Sequence, residues 1–131
     1  MASRQRTLPL VLAIALVAAV ALAPTSLTVT AWPEGQKAGG GKTWTLTCFP
    51  VGGTHPQRAR ACRQLAGVPA PFAPAPEDVV CTEIFGGPQE ALVRGRYRWR
   101  RVWVRFNRED GCQIARWDRI RAVFPIPVGD R

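Results

Sequence analysis

Apolar and hydroxyl-bearing residues alternate from Ser26 to Trp32 (SLTVTAW), the period-2 pattern of a half-buried strand. The alternation returns over Thr43–Cys48 (TWTLTC), after a loop at Pro33–Lys42, so the pair predicts a hairpin with a long connection. Pro50–Pro56 is a turn region. Gln57–Gly67 (QRARACRQLAG) has helical composition and ends on glycine, which predicts a short helix. Val68–Pro76 carries four prolines and predicts an extended surface arm. Val79–Phe85 (VVCTEIF) is extended by propensity and runs into Gly86-Gly87-Pro88. Next, Arg94, Arg96 and Arg98 alternate with Val93, Tyr97 and Trp99 on the other side of a strand. Val102, Val104 and Phe106 resume on the opposite parity, which requires a turn or bulge near Trp99–Arg101. Gln113–Arg121 predicts a second short helix and Ala122–Ile126 a last strand. There are no internal repeats. The expected class is α+β, an antiparallel sheet with one or two short helices on one face.

The N-terminus departs from this pattern. Arg4 and Arg6 precede an uncharged apolar run, Leu8–Ala23, somewhat short for a membrane span and followed by small residues. This is the plan of a secretory signal over residues 1–23, cut after Ala21 (Ala19-Val20-Ala21 is small-x-small) or after Ala23, where Pro24 would follow the cut. Residues 24–131 then form a single domain that is secreted and extracellular. In a chain of 131 residues nothing larger fits. Twelve Pro and 12 Gly exclude a helical bundle or coiled coil, and five Trp, five Phe and four Cys argue against disorder.

Cys48, Cys62, Cys81 and Cys112 all follow the leader. An even count in a small exported domain reads as two disulfides, although four cysteines allow three pairings. No C-x-x-C pair exists and His55 is the only histidine, so no metal site is expected. Removal of Arg4 and Arg6 leaves 16 basic and 9 acidic residues, a charge of +7. Gly39-Gly40-Gly41-Lys42-Thr43 resembles a phosphate loop, but Gln36 stands where its first Gly belongs and a strand follows it instead of a helix. His55, in Gly53-Thr54-His55-Pro56, has no nucleophile or orienting acid patterned with it and reads as a cap on local backbone. No catalytic residue and no cofactor is expected. The tract Arg94–Arg108 mixes Arg with Tyr97, Trp99 and Trp103, which suits a solvated strand face with a core on its other side.

The segment that invites a function is Val79–Pro88. A Pro-rich arm leads into it, β-branched residues hold it extended, Cys81 anchors it two residues before Glu83, and Gly86-Gly87-Pro88 turns it back. A stiff extended loop can enter a protease cleft as substrates do, by β-pairing, and loses little entropy in doing so.

These residues, in this order, resemble the Streptomyces subtilisin inhibitor family of secreted serine-protease inhibitors. Ser26-Leu27-Thr28-Val29-Thr30 resembles the first strand of that family and Thr45-Leu46-Thr47-Cys48 its T-L-T-C strand end. Gly53-Thr54-His55-Pro56 matches G-T-H-P. Ala61-Cys62 with Leu65-Ala66 matches the helix bearing the second cysteine, and Glu77-Asp78-Val79-Val80-Cys81 the lead into the reactive loop. Gly95-x-Tyr97, Arg101-Val102 and Val123-Phe124 resemble the later strands. The resemblance implies disulfides Cys48–Cys62 and Cys81–Cys112, a five-stranded antiparallel sheet with two short helices, and a homodimer formed through the sheet. It implies a reactive bond Glu83–Ile84, with Glu83 at P1, Thr82 at P2, Val80 at P4 and Ile84 at P1′, and Val79, Cys81 and Phe85 as further loop contacts.

Two departures from the family bear on the target. Glu83 is acidic where Met, Lys or another long side chain is usual, and Thr82 stands in place of a common Pro. The stretch from Phe85 to Pro88 is also one residue longer. A carboxylate entering an apolar S1 pocket is desolvated without a partner. A glutamate-preferring protease is therefore the complementary target by P1 logic, and subtilisin-like enzymes remain reachable through P4 and P2. The expected function is inhibition of an extracellular serine protease of either kind, with no enzyme activity of its own, no nucleic acid partner, and no membrane partner once the leader is removed. The alternative is a non-inhibitory cationic secreted protein on the same scaffold, binding polyanions through Arg94–Arg108.

Overall fold

A computed structural model describes residues 24–129; the leader assigned to residues 1–23 lies outside the described residues. Strand β1 (Thr25–Trp32) and strand β2 (Lys42–Cys48) form the first hairpin, with a 3₁₀ turn at Gln36–Ala38 in its long connection. Helix α1 (Arg58–Gly67) follows, then the Pro-rich arm, strand β3 (Glu90–Tyr97), strand β4 (Arg100–Phe106), helix α2 (Gly111–Arg119) and a 3₁₀ turn at Arg121–Val123. The sheet is antiparallel throughout, in the order β2-β1-β3-β4.

The alternation read from the sequence is the alternation of burial. Leu27, Val29 and Ala31 of β1, Leu46 and Cys48 of β2, Ala91 and Val93 of β3, and Val102 and Phe106 of β4 face one core. Ala61, Cys62 and Leu65 of α1 close it, together with Trp117 of α2 and the buried run Ala122-Val123-Phe124. Trp117 packs against Phe124 at 4.4 Å between centroids and Phe124 against Phe106 at 4.9 Å, both pairs tilted. The opposite face has no layer over it among the described residues. One row of it, Thr45, Thr28, Arg94 and Trp103, runs across all four strands.

The sheet has four strands where five were expected. The missing one is Ala122–Ile126, and the reason is where its backbone groups go. Val123 N–H donates to Ile120 O and Phe124 N–H to Arg121 O, closing a 3₁₀ turn. Ala122 N–H donates to Gln64 Oε1, and Val123 O accepts from His55 Nε2 at 2.9 Å. Pro125 and Pro127 have no N–H to offer a ladder. With Ala122, Val123 and Phe124 all buried, the segment plugs the core from within and has no second face.

His55 does cap local backbone, as its Nδ1 accepts from Gln57 N–H at 3.0 Å. It also reaches Val123 O, so it is fully buried as a neutral Nε2–H tautomer joining the start of α1 to the last core segment. Burial pushes its pKa below the ordinary histidine value, partly opposed by the bond to Val123. Helix α2 starts and ends two residues before the expected Gln113–Arg121: Asp110 is its N-cap, with Oδ1 accepting from Gln113 N–H at 2.9 Å. The expected turn after β3 is a two-residue hairpin, Arg98-Trp99, closed by the pair Tyr97–Arg100. Trp99 therefore stands at the exposed tip and not on the Val93 side of the strand.

Candidate functional site

The segment that the sequence singled out lies outside regular structure, and its two ends are held from different directions. On the N-terminal side, Cys81 is bonded to Cys112 in the first turn of α2. Gly111, beside it, donates its N–H to Thr82 O at 2.9 Å. That N–H is one of the four a helix leaves free at its start, and here it braces the loop. A side chain at Gly111 would collide with Thr82 Oγ1 and force that hydroxyl to turn away.

On the C-terminal side, Gly86 is held by one residue, Arg108. Gly86 N–H donates to Arg108 O at 2.8 Å, and Arg108 Nε donates back to Gly86 O at 3.3 Å. Gly86 packs so closely on α2 that a Cβ there would sit 2.7 Å from Ile114 Cδ1.

Arg108 is itself buried, with 4% of its side chain exposed, and is paired through Nη1 to Asp118 Oδ1 at 2.8 Å. Arg121 donates to the same carboxylate oxygen at 2.8 Å. Burial by itself would raise the Asp118 carboxyl. Hydrogen bonds from Arg121 and Arg108, and their charges, outweigh that and hold it below the ordinary carboxylate value.

Between the two braces lie Glu83, Ile84 and Phe85, all exposed. Among the described residues their main-chain groups make no hydrogen bond, so they are free to pair with another chain. Val80 is 96% exposed, and Val79, Ile84 and Phe85 are more than half exposed. Four large apolar side chains thus face solvent on one arch whose ends are fixed. Such an arch can present an extended backbone to a cleft without first having to be ordered.

Of the residues named from sequence, Val79, Val80, Thr82, Glu83, Ile84 and Phe85 are exposed along one strip, with Cys81 half-buried within it. Both disulfides pair sequentially, Cys48–Cys62 inside the core and Cys81–Cys112 under the loop. The sulfurs of Cys81 and Cys112 lie near the Asp110 carboxylate, but each is spent on the other and offers no thiolate to a metal. Four supporting residues escaped the sequence reading: Gly111, Arg108, Ile114 and Asp118. A signal for the first existed, since Asp110-Gly111-Cys112-Gln113 has the spacing of a helix cap. None existed for Arg108, which reads as the end of an exposed basic tract. The tract is in fact divided: Arg94, Arg96, Arg101 and Arg105 are exposed strand residues, Arg98 is at the hairpin tip, and Arg108 is buried beneath the loop.

No described helix is long and apolar enough to cross a membrane. A search among curated proteins found no match. Among solved structures the chain is similar to Streptomyces caespitosus sermetstatin, crystallised in complex with Bacillus licheniformis subtilisin. That similarity has a TM-score of 0.50 at 22% identity, and covers 79% of this chain and 99% of that one; it is a likeness of fold. The family model described as subtilisin inhibitor-like matches residues 23–109, from the start of β1 through β4 to the residue after Arg108. With two thirds of its length in that match, and a braced, exposed arch inside it, the chain belongs to the subtilisin inhibitor-like family of protease inhibitors.

Proposed function

We propose that the protein is a secreted, standard-mechanism inhibitor of subtilisin-like or glutamate-preferring serine proteases, with Glu83–Ile84 as its reactive bond. The observation that carries this reading is the bracing on either side of that bond. Thr82 O and both main-chain groups of Gly86 are held by the protein, while Glu83–Phe85 between them are left free. The protease supplies the nucleophile. When Glu83–Ile84 is cut, Cys81–Cys112 and Arg108 keep the two new ends in place, so religation competes with release. In this reading Val80 fills an apolar S4 site, Thr82 lies at S2, and the Glu83 carboxylate meets a cation or donors in S1. The complex would bury about 1,600 Å² in total. A homodimer formed through the sheet belongs to the same reading. It has to leave Arg94, Arg96 and Arg101 hydrated, because a self-complementary patch brings this basic face against its own copy.

The test is a titration of residues 24–131 against fixed amounts of subtilisin, a glutamate-specific serine protease and trypsin. Stoichiometric loss of activity for either of the first two, with the inhibitor largely intact, is expected. Rapid cleavage after Glu83 without inhibition would reduce the loop to a substrate. Glu83→Lys should transfer inhibition to trypsin, whose S1 pocket is acidic; no gain there would show that the P1 position lies elsewhere. Sedimentation of the same protein checks the dimer.

A further inference from the structure

The end of the molecule opposite the loop carries a second unusual surface. Strand β3 separates the two: its eight residues begin beside the loop at Glu90 and end at Tyr97, next to the hairpin tip, roughly 23 Å away. At that tip Arg98 and Trp99 have φ of 46° and 73°. Positive φ at both central residues is the pattern of a type I′ turn, which favours Asn-Gly. Bulky side chains are strained there, yet the chain holds a tryptophan in this position, 67% exposed. Strain kept at an exposed aromatic points to contact with something outside the chain.

Next to the tip, the Pro-rich arm and the hairpin enclose an apolar groove of about 610 Å³. Val68, Pro69, Pro71 and Phe72 line it on the arm side, and Tyr97 and Val104 on the hairpin side. Its walls are fixed: Arg119 Nη2 donates to Pro69 O at 2.9 Å, Arg116 Nε to Ala73 O at 3.2 Å, and Tyr97 OH to Leu65 O at 3.1 Å. Arg98, Arg100 and Arg101 line it on the hairpin side, and among the described residues no acidic one lines it. No acid occurs between Glu90 and Glu109 in the chain at all.

An apolar groove with three arginines along its hairpin side, beside a protruding tryptophan, has the polarity of an interface between hydrocarbon and anionic headgroups. Trp prefers that layer, and arginines near it are drawn to lipid phosphates. We propose that this end of the molecule docks on an anionic lipid bilayer, with Trp99 in the headgroup layer and Arg98, Arg100 and Arg101 on phosphates. This proposal runs against the sequence expectation that no membrane is involved after leader removal. The apolar arm and the Arg-Trp tip are far apart in the chain, and only the fold sets them side by side. Docked this way, the protein holds its reactive loop at the far end, turned away from the lipid.

The core and both disulfides lie within residues 24–129, so the leaderless protein folds for the test and brings no apolar leader to the lipid. It is co-sedimented with phosphatidylcholine vesicles with and without phosphatidylglycerol. Binding is expected only with phosphatidylglycerol, weakening with salt. Arg98→Gln and Arg100→Gln should each lower it about fivefold. Trp99→Gly removes the ring but suits the left-handed backbone, so it should cut binding by about tenfold or more while leaving the melting temperature equal or higher. Subtilisin titration of all three variants should match the parent. The proposal fails if the parent ignores phosphatidylglycerol vesicles, if Trp99→Gly binds them as well as the parent, or if Trp103→Ser on the open sheet face is the variant that loses binding. Inorganic polyphosphate binding in the absence of vesicle binding would assign the charge to a soluble polymer, and Trp99-dependent self-association would assign the tip to a second copy.

Discussion

The two disulfides of this domain hold different things. Cys48–Cys62 joins β2 to α1 with both cysteines buried, among side chains that would pack there in any case. Cys81–Cys112 joins an exposed loop to the first turn of a helix, where no apolar packing would replace it. In the chain-entropy account the two contribute similarly to stability, about 3 and about 4 kcal/mol for sequence separations of 14 and 31. Their consequences should nevertheless differ. The first constrains a region already determined by burial; the second constrains one that burial leaves free. Stiffness in this loop comes from a covalent bond and a few long-range hydrogen bonds, not from a core.

The largest expected effect separates the two bridges directly. Cys81→Ser with Cys112→Ser should turn the inhibitor into a substrate, with loop cleavage by subtilisin at least about a hundredfold faster, a loss of roughly 3 kcal/mol in holding the arch. Cys48→Ala with Cys62→Ala should lower the melting temperature by a similar free energy yet leave inhibition intact below the melt. Mass spectrometry of the cleaved fraction, alongside a melt of each variant, decides this. Equal effects on both readouts would break the comparison.

Arg108→Ala comes next. It removes the guanidinium donor to Gly86 O and strips Asp118 of one of its two partners. About 2–3 kcal/mol is expected, because a buried charged hydrogen bond is lost. Most of it should appear as faster loop cleavage. Gly86→Ala should cost about 1–3 kcal/mol through the collision with Ile114, and Ile114→Ala in the same protein should restore part of it by vacating the space.

The smallest expected effect is a pH dependence. The Asp118 carboxyl is held below its ordinary value, so its contribution is complete above the carboxylate range and is lost as pH falls through it. Asp118→Asn should therefore lower the melting temperature at neutral pH, and the two melting curves should converge in acid. The buried His55 acts in the same direction at higher pH. Its folded pKa is depressed, so stability is complete above about pH 6.5 and declines as pH drops below it. A His55→Gln comparison separates the two ranges.

Strands β1, β2, β3 and β4 were legible because each has one wet face and one dry face, and that asymmetry is written as a period of two. The loop was legible for a complementary reason: Pro, Cys and Gly in that order punctuate an irregular, tethered segment. Ala122–Ile126 misled because three consecutive buried residues look alike in a strand interior and in an irregular core plug. Arg108 misled because charge predicts exposure unless a partner is present, and its partner Asp118 is ten residues away on another element.

By itself, then, the sequence determined the α+β class, the strip Val79–Phe85 as the exposed segment, and the family resemblance. Local alternation, turn residues and cysteine spacing act over a few residues and need no partner to be read. Only the tertiary structure decided which groups brace that strip, how the basic tract divides between water and interior, and that an apolar arm lies beside the Arg98-Trp99 tip. Each of these depends on residues distant in the chain meeting in space, where burial and hydrogen-bond pairing, and not local propensity, set the outcome.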